Sequence, residues 1–400
     1  MKEHKQPSVI LSLANRFSDF LDRRSRSKSW PFVVFFIAIG ISLFSWVPHY
    51  PTVSDFIQTP DGAAKTWWLE HPFKAVPVEQ FFPVSERHIG FNAGCASHLD
   101  KLTFRAFLPL LNQIAPFGVW TLVIACHLGA LVILWFTYKL ISLQSRDRVS
   151  GALVSWAVAA SFAGQWGFHD YLVGDSVAVS LLIAAMLSRN EFIIFLLILA
   201  ASFTDERAIA SVPLVVLYHT LRERGGAYLN SSKFLPTICK SYPFIAAVCT
   251  YILLRFALIK YFGLSTGSSG VGSIDILRQR LYSDFPGNFF RVFEFLWFMP
   301  ALVLIEWSGT RKSVRIRLLT YVTFLALAAL PSMLVWDIDR SLFYMLPGIL
   351  LAICFWPLSK SSLRISLIGI SLCNFFWLYP STSALRYIDQ FVSSFIVLKK

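Results

Sequence analysis

The chain has 400 residues, 56% of them hydrophobic and 16% aromatic, with a formal net charge of +13 at pH 7. A mean hydropathy of +0.59 rules against an ordinary soluble domain, because apolar runs of roughly 17 to 25 residues recur and each can cross about 30 Å of hydrocarbon as a helix. An outer-membrane barrel would show short alternating segments instead, and nucleic-acid binding is disfavoured because the Lys and Arg residues are scattered through short loops rather than gathered in one patch.

Residues 1–30 form a basic leader. Val9, Ile10, Leu11, Leu13, Phe17, Phe20 and Leu21 share much of one helical face, with Arg16, Arg23, Arg24, Arg26 and Lys28 on or after it, a pattern that fits an interfacial helix on anionic lipid as well as a disordered tail. The first apolar run starts near Trp30 behind this leader and has no small-residue cleavage site after it, so it reads as a retained anchor. Spans are expected near 31–47, 117–138, 151–168, 172–188, 192–204, 208–221, 243–263, 288–306, 318–336, 341–357 and 365–379. The expected fold is therefore all-α: a polytopic transmembrane bundle of about 11 helices over 31–380, with an external loop at 48–116 long enough to hold short helices and a tail at 381–400.

With the N-terminus cytoplasmic and the C-terminus outside, the inner loops carry Lys139, Arg146, Arg148, Arg189, Arg222, Arg311, Lys360 and Arg364, as the positive-inside rule requires. The acids fall on the other side, at Asp55, Asp61, Glu86, Asp100, Asp170, Asp175, Asp205, Glu206, Asp337 and Asp339. The insertion rule does not demand that second bias, so it points to function. The six cysteines lie mostly in or beside apolar runs without CxxC spacing and read as small core residues.

Several constellations stand out in chain order. Arg105 falls within a segment, Thr103 to Leu111, expected to lie as an amphipathic helix on the membrane surface, where Arg105 can reach lipid phosphate. His169 and Asp170, with Asp175, form an outer turn. Thr204-Asp205-Glu206-Arg207 sits between two short apolar runs, read as half-length helices meeting at a polar apex. There a carboxylate can accept a proton and Arg207 can grip phosphate, while a self-neutralising cap accounts for the residues equally well. Arg255 lies within a span with no partner adjacent in sequence, and Arg291 and Glu294 are placed to pair at i, i+3. Asp337 and Asp339 can share a divalent cation if they lie in an extended turn, the only cofactor the sequence hints at, and Arg340 follows them. A plain interfacial loop with one salt bridge is the competing reading. His49, His88 and His98 lack a metal-binding spacing.

The N-in bundle, the long first external loop, the acids at outer span ends and the Asp-Glu-Arg hairpin together resemble the GT-C class of membrane glycosyltransferases. That resemblance implies a polyprenyl-phosphate-linked sugar donor, a place in the bacterial inner membrane and a role in cell-envelope glycan or glycolipid assembly on the non-cytoplasmic face. It also implies a catalytic acid early in the first external loop, which puts Asp55 in that position with Asp100 in reserve, beside Asp205 and Glu206. Arg105, Arg207, Arg255 and Arg340 become the candidates for the leaving phosphate, because a guanidinium fork matches phosphate geometry. The competing classes are a polysaccharide or O-antigen polymerase, a transporter or flippase, which predicts inverted repeats that the sequence does not display, and a non-catalytic membrane subunit. The partners expected are the lipid-linked donor and membrane lipids, with oligomeric state left open.

Overall fold

The computed structural model describes residues 9–45, 58–81, 102–169, 174–223, 242–264, 285–305, 312–333, 338–355 and 359–376. Among them every regular element is helical. In chain order these are α1 (Val9–Ser25), α2 (Trp30–Ser45), α3 (Pro60–Glu70), α4 (Val78–Phe81), α5 (Phe107–Ile114), α6 (Val119–Ser145), α7 (Arg148–Ala160), α8 (Phe162–His169) and α9 (Asp175–Leu187). They continue with α10 (Glu191–Thr204), α11 (Ala208–Glu223), α12 (Tyr242–Phe262), α13 (Phe285–Phe293), α14 (Phe298–Ile305), α15 (Lys312–Met333), α16 (Ile338–Phe343), α17 (Leu346–Leu351) and α18 (Lys360–Phe376).

Four stretches are long and apolar enough to cross a membrane: Val119–Ser145, Tyr242–Phe262, Arg315–Ser332 and Ile338–Phe355. Five shorter apolar helices accompany them, among them α10 and α11, whose 14 and 16 residues rise only about 21 and 24 Å, short of a full hydrocarbon crossing. The expected hairpin of half-length helices is thus present, with Asp205 as the residue that ends α10 in an extended conformation. The expected span at 151–168 is interrupted, because Ser161 leaves helical geometry between α7 and α8 and its hydroxyl donates back to the Val158 carbonyl.

Alpha-7 is the axis of the bundle. Its sequence is rich in Ala, Ser, Val and Gly, and all its residues except Arg148 and Trp156 are buried. Small side chains let neighbouring backbones approach closely, the main source of helix association where lipid already satisfies apolar surface. A Cβ at Gly151 would meet Ser142 Oγ at 2.0 Å and the Tyr138 carbonyl oxygen at 2.7 Å, so α6 and α7 touch backbone to backbone there. Polar threads tie the layers: Trp156 Nε1 donates to the Val34 carbonyl at 3.1 Å, Ser155 Oγ to Leu134 at 3.0 Å, and Asn374 Nδ2 to Ala157 at 3.0 Å.

The bundle has two polar ends. Asp147 caps the start of α7, and the same helix runs toward Phe162, whose ring carries the Arg291 guanidinium 4.6 Å from its centroid. Likewise α9 begins at Asp175 and ends where Arg222 Nη1 donates to the carbonyls of Met186, Leu187 and Ser188 at 3.2 to 3.3 Å. The groups around Asp147 and those around Asp175 therefore lie at opposite ends.

Candidate functional site

Gly174 sets the site up. Its φ of 74° is left-handed, which favours glycine, and a Cβ on it would come within 2.8 Å of Leu108 Cδ1 and 3.1 Å of Thr204 Cγ2, so any side chain would have to displace both methyl groups. The turn delivers Asp175 as the first residue of α9, fully buried.

Around Asp175 and Asp205 the chain assembles three guanidiniums from distant stretches. Asp175 Oδ1 accepts from Arg207 Nη2 at 2.9 Å and from the Tyr344 hydroxyl at 3.0 Å, and its Oδ2 accepts from Arg340 Nε at 2.7 Å. Asp205 Oδ1 accepts from the Arg207 backbone N–H and from Arg207 Nε, both at 2.9 Å, and Oδ2 accepts from Arg207 Nη2 at 2.7 Å. Arg105 Nη2 reaches the same Oδ2 at 2.9 Å. Glu206 makes longer contacts, 3.4 Å from each oxygen to Arg105. Arg207 Nη1 also donates to Ser341 Oγ at 3.0 Å, its guanidinium lies 5.2 Å from the centre of the Tyr344 ring, and Ser211 Oγ donates to the Tyr344 carbonyl.

The acids differ in what they can do. Burial works to raise the Asp205 pKa, but the charges of Arg105 and Arg207 overcome it and hold the carboxyl far below the usual carboxylate range. A carboxylate so firmly ionised is a poor base and a good anchor. Asp205 is fully buried, whereas the Glu206 side chain is 28% exposed and loosely held, which leaves Glu206 as the acid of this group open to a substrate. Arg207 and Arg340 each expose 11% of their side chains.

Two further cations adjoin the cluster. Arg255 stands 4.5 Å from the centre of the Phe104 ring and donates from Nη1 to the Tyr251 hydroxyl at 2.8 Å, so the span does supply it a partner one turn back. Arg291 reaches Asp339 Oδ2 at 3.4 Å. Glu294 lies beyond the end of α13 at Phe293 and takes a φ of 49°, so it leaves the helical face expected to pair it with Arg291, although the Arg291 charge still acts on its carboxyl.

Arg105 also corrects its sequence reading. The helix starts at Phe107 and Arg105 lies before it, buried and turned inward onto Asp205 and Glu206 rather than outward to a lipid surface. Asp339 lies in the first turn of α16 within reach of Arg291, not in an extended turn. Among the described residues, no group of three His, Cys, Asp or Glu side chains is placed to hold a metal ion. Asp55, Asp100, Asp170 and Asp337 lie outside the described residues, and His169 is described only as the end of α8. Tyr344 and Ser341 were missed by sequence reasoning, since both sit in an apolar stretch. The adjacency of Ser341 to Asp339-Arg340 was the one available signal.

The opposite end carries a second ionic group. Asp147 accepts from Arg364 Nε and Nη2, both at 2.7 Å, and from Ser150 Oγ at 2.7 Å, while Arg364 Nη2 continues to Asp22 at 2.6 Å. Asp22 and Asp147 are exceptions to the outward bias of the acids, and each neutralises a base that the topology reading counted as plain inner charge.

Comparison with protein-family models, with curated proteins and with solved structures found no match for this chain. The all-helical fold and the four apolar helices of spanning length mark a membrane protein.

Proposed function

We propose that the chain is a membrane glycosyltransferase of GT-C type, acting on a polyprenyl-phosphate-linked sugar at the non-cytoplasmic face of a bacterial inner membrane for cell-envelope glycan or glycolipid assembly. In this reading the apolar segments make about 11 crossings with the N-terminus in the cytoplasm. The alternation supports it: α9 leads away from the Asp175 end, α10 returns to Asp205, and α11 leads away again to Arg222. Unpartnered apolar side chains such as Leu253, Phe256, Leu319 and Leu330 on the outside of α12 and α15 suit lipid contact.

One observation carries the enzymatic reading. Two buried aspartates fix three arginines from separate parts of the chain at the place where Glu206 is open. Such an array suits a reaction in which Glu206 takes the proton of an acceptor hydroxyl, the oxygen attacks the anomeric carbon, and the departing lipid phosphate is stabilised by Arg340 and Arg105. Asp175 and Asp205 act as positioning residues that hold the guanidiniums before substrate arrives.

The test is transfer from radiolabelled polyprenyl-phosphate sugars to endogenous acceptor in membranes containing the protein. Glu206→Gln and Arg340→Ala are expected to lose transfer by at least about 100-fold, the usual worth of a general base or an oxyanion partner, with insertion intact. Undiminished transfer in Glu206→Gln removes that residue from the chemistry. Ion-driven uptake into liposomes without a covalent product replaces the enzyme with a transporter.

A further inference from the structure

Helix α1 presents three faces. At 3.6 residues per turn, Ser18, Leu21 and Ser25 form the buried face, and Asp22 at its edge is held by Arg364. Arg148 Nη1 adds a bond to the Ser25 carbonyl at 3.1 Å. Roughly a third of a turn away, Val9, Leu13, Phe17 and Phe20 line a stripe that the bundle leaves uncovered, with Val9 at 76% and Leu13 at 59% exposure. The remaining face is polar, and Arg16 and Arg23 stand at its border with the apolar stripe, exposed to solvent together with Arg24, whose guanidinium lies 5.5 Å from the Phe20 ring centre.

An apolar stripe bordered by arginines on a helix fixed against a membrane bundle has one fitting occupant. Aliphatic and aromatic side chains enter the acyl boundary, and the guanidiniums meet phosphate. Continuity argues the same way, since only four residues separate α1 from α2, whose Phe32, Phe36 and Ile37 are also uncovered by the bundle. We propose that α1 is an in-plane helix that binds anionic lipid headgroups of the leaflet at the Asp147 end, through Arg16, Arg23 and Arg24. This rests on the chain sitting in a bilayer but not on sugar transfer at the far end, so the two can fail separately.

Hydrogen exchange of the full chain in nanodiscs tests it. In phosphatidylcholine mixed with phosphatidylglycerol, amides of residues 9–20 are expected to exchange on the order of tenfold more slowly than in phosphatidylcholine alone, because basic residues near the surface are drawn to anionic headgroups. The triple variant R16Q/R23Q/R24Q is expected to lose that difference, and R16K/R23K/R24K to keep most of it. Equal exchange in the two lipids overturns the proposal. Protection that follows two copies per disc, regardless of lipid charge, also overturns it and makes a second copy the occupant.

Discussion

The two ionic groups are built from the same residue types to different ends. At the Asp147 end two carboxylates share Arg364 at short range, with Lys360 3.4 Å from Asp147 and Arg26 3.3 Å from Asp22, and Asp147 caps a helix as well, so the group is a clamp. At the Asp175 end three arginines share two buried aspartates, and a third acid, Glu206, stays loose. A clamp holds each carboxylate with at least one short bond; a site leaves one acid held only at long range. The contrast makes Asp205 and Asp147 alike as anchors and puts the acid held only by 3.4 Å contacts, Glu206, at the Asp175 end.

The comparison breaks most sharply at the anchors. Asp205→Ala strands Arg105 and Arg207 in a buried setting, and a loss of about 3–5 kcal/mol is expected, read as a large fall in unfolding temperature in detergent. Arg364→Gln undoes the other group at about 3 kcal/mol and frees α1, so a protease that cuts after the leader should act on the variant first. Gly174→Ala tests the turn alone: a left-handed φ together with the approach of Leu108 should cost about 1–3 kcal/mol and also reduce transfer, because Asp175 shifts. Glu206→Gln should change unfolding by less than about 1 kcal/mol, since its pairing is long and partly exposed, while removing activity.

Acid separates the groups further. Burial favours a higher pKa for Asp147, yet hydrogen bonds from Arg364 and Ser150 outweigh it and hold the carboxyl at about 2, and the Arg364 bond lowers Asp22 as well. A depressed carboxyl stabilises the fold fully above its unfolded pKa, about 3.9, and loses that contribution as pH falls toward 2. Protease release of α1 should therefore stay slow at pH 7 and 5 and rise below pH 4.

The sequence made the helical class legible through long apolar runs, and it made the Asp205-Glu206-Arg207 apex and Arg340 legible because charges interrupt those runs. It could not show that these meet, since Arg340 and Asp175 are 165 positions apart. Tyr344 was silent because a tyrosine in an apolar stretch reads as packing. Arg105 was assigned outward because amphipathic spacing says which face is polar but not what that face meets. The Asp147 clamp was hidden for another reason: inner arginines already had an explanation in topology, so nothing prompted a search for their partners.

The reach of Arg364 has a consequence for biosynthesis. Its bond to Asp22 spans 342 positions, so the ionic hold on the first described helix, which Arg148 already touches at the Ser25 carbonyl, closes only after nearly the whole polypeptide has left the ribosome. During that interval the leader rests on the Arg148 bond, on the packing of Leu21 and on whatever surface it lies on. Synthesis of the segment that carries Arg364 thus closes a clamp whose other half was made near the start of translation.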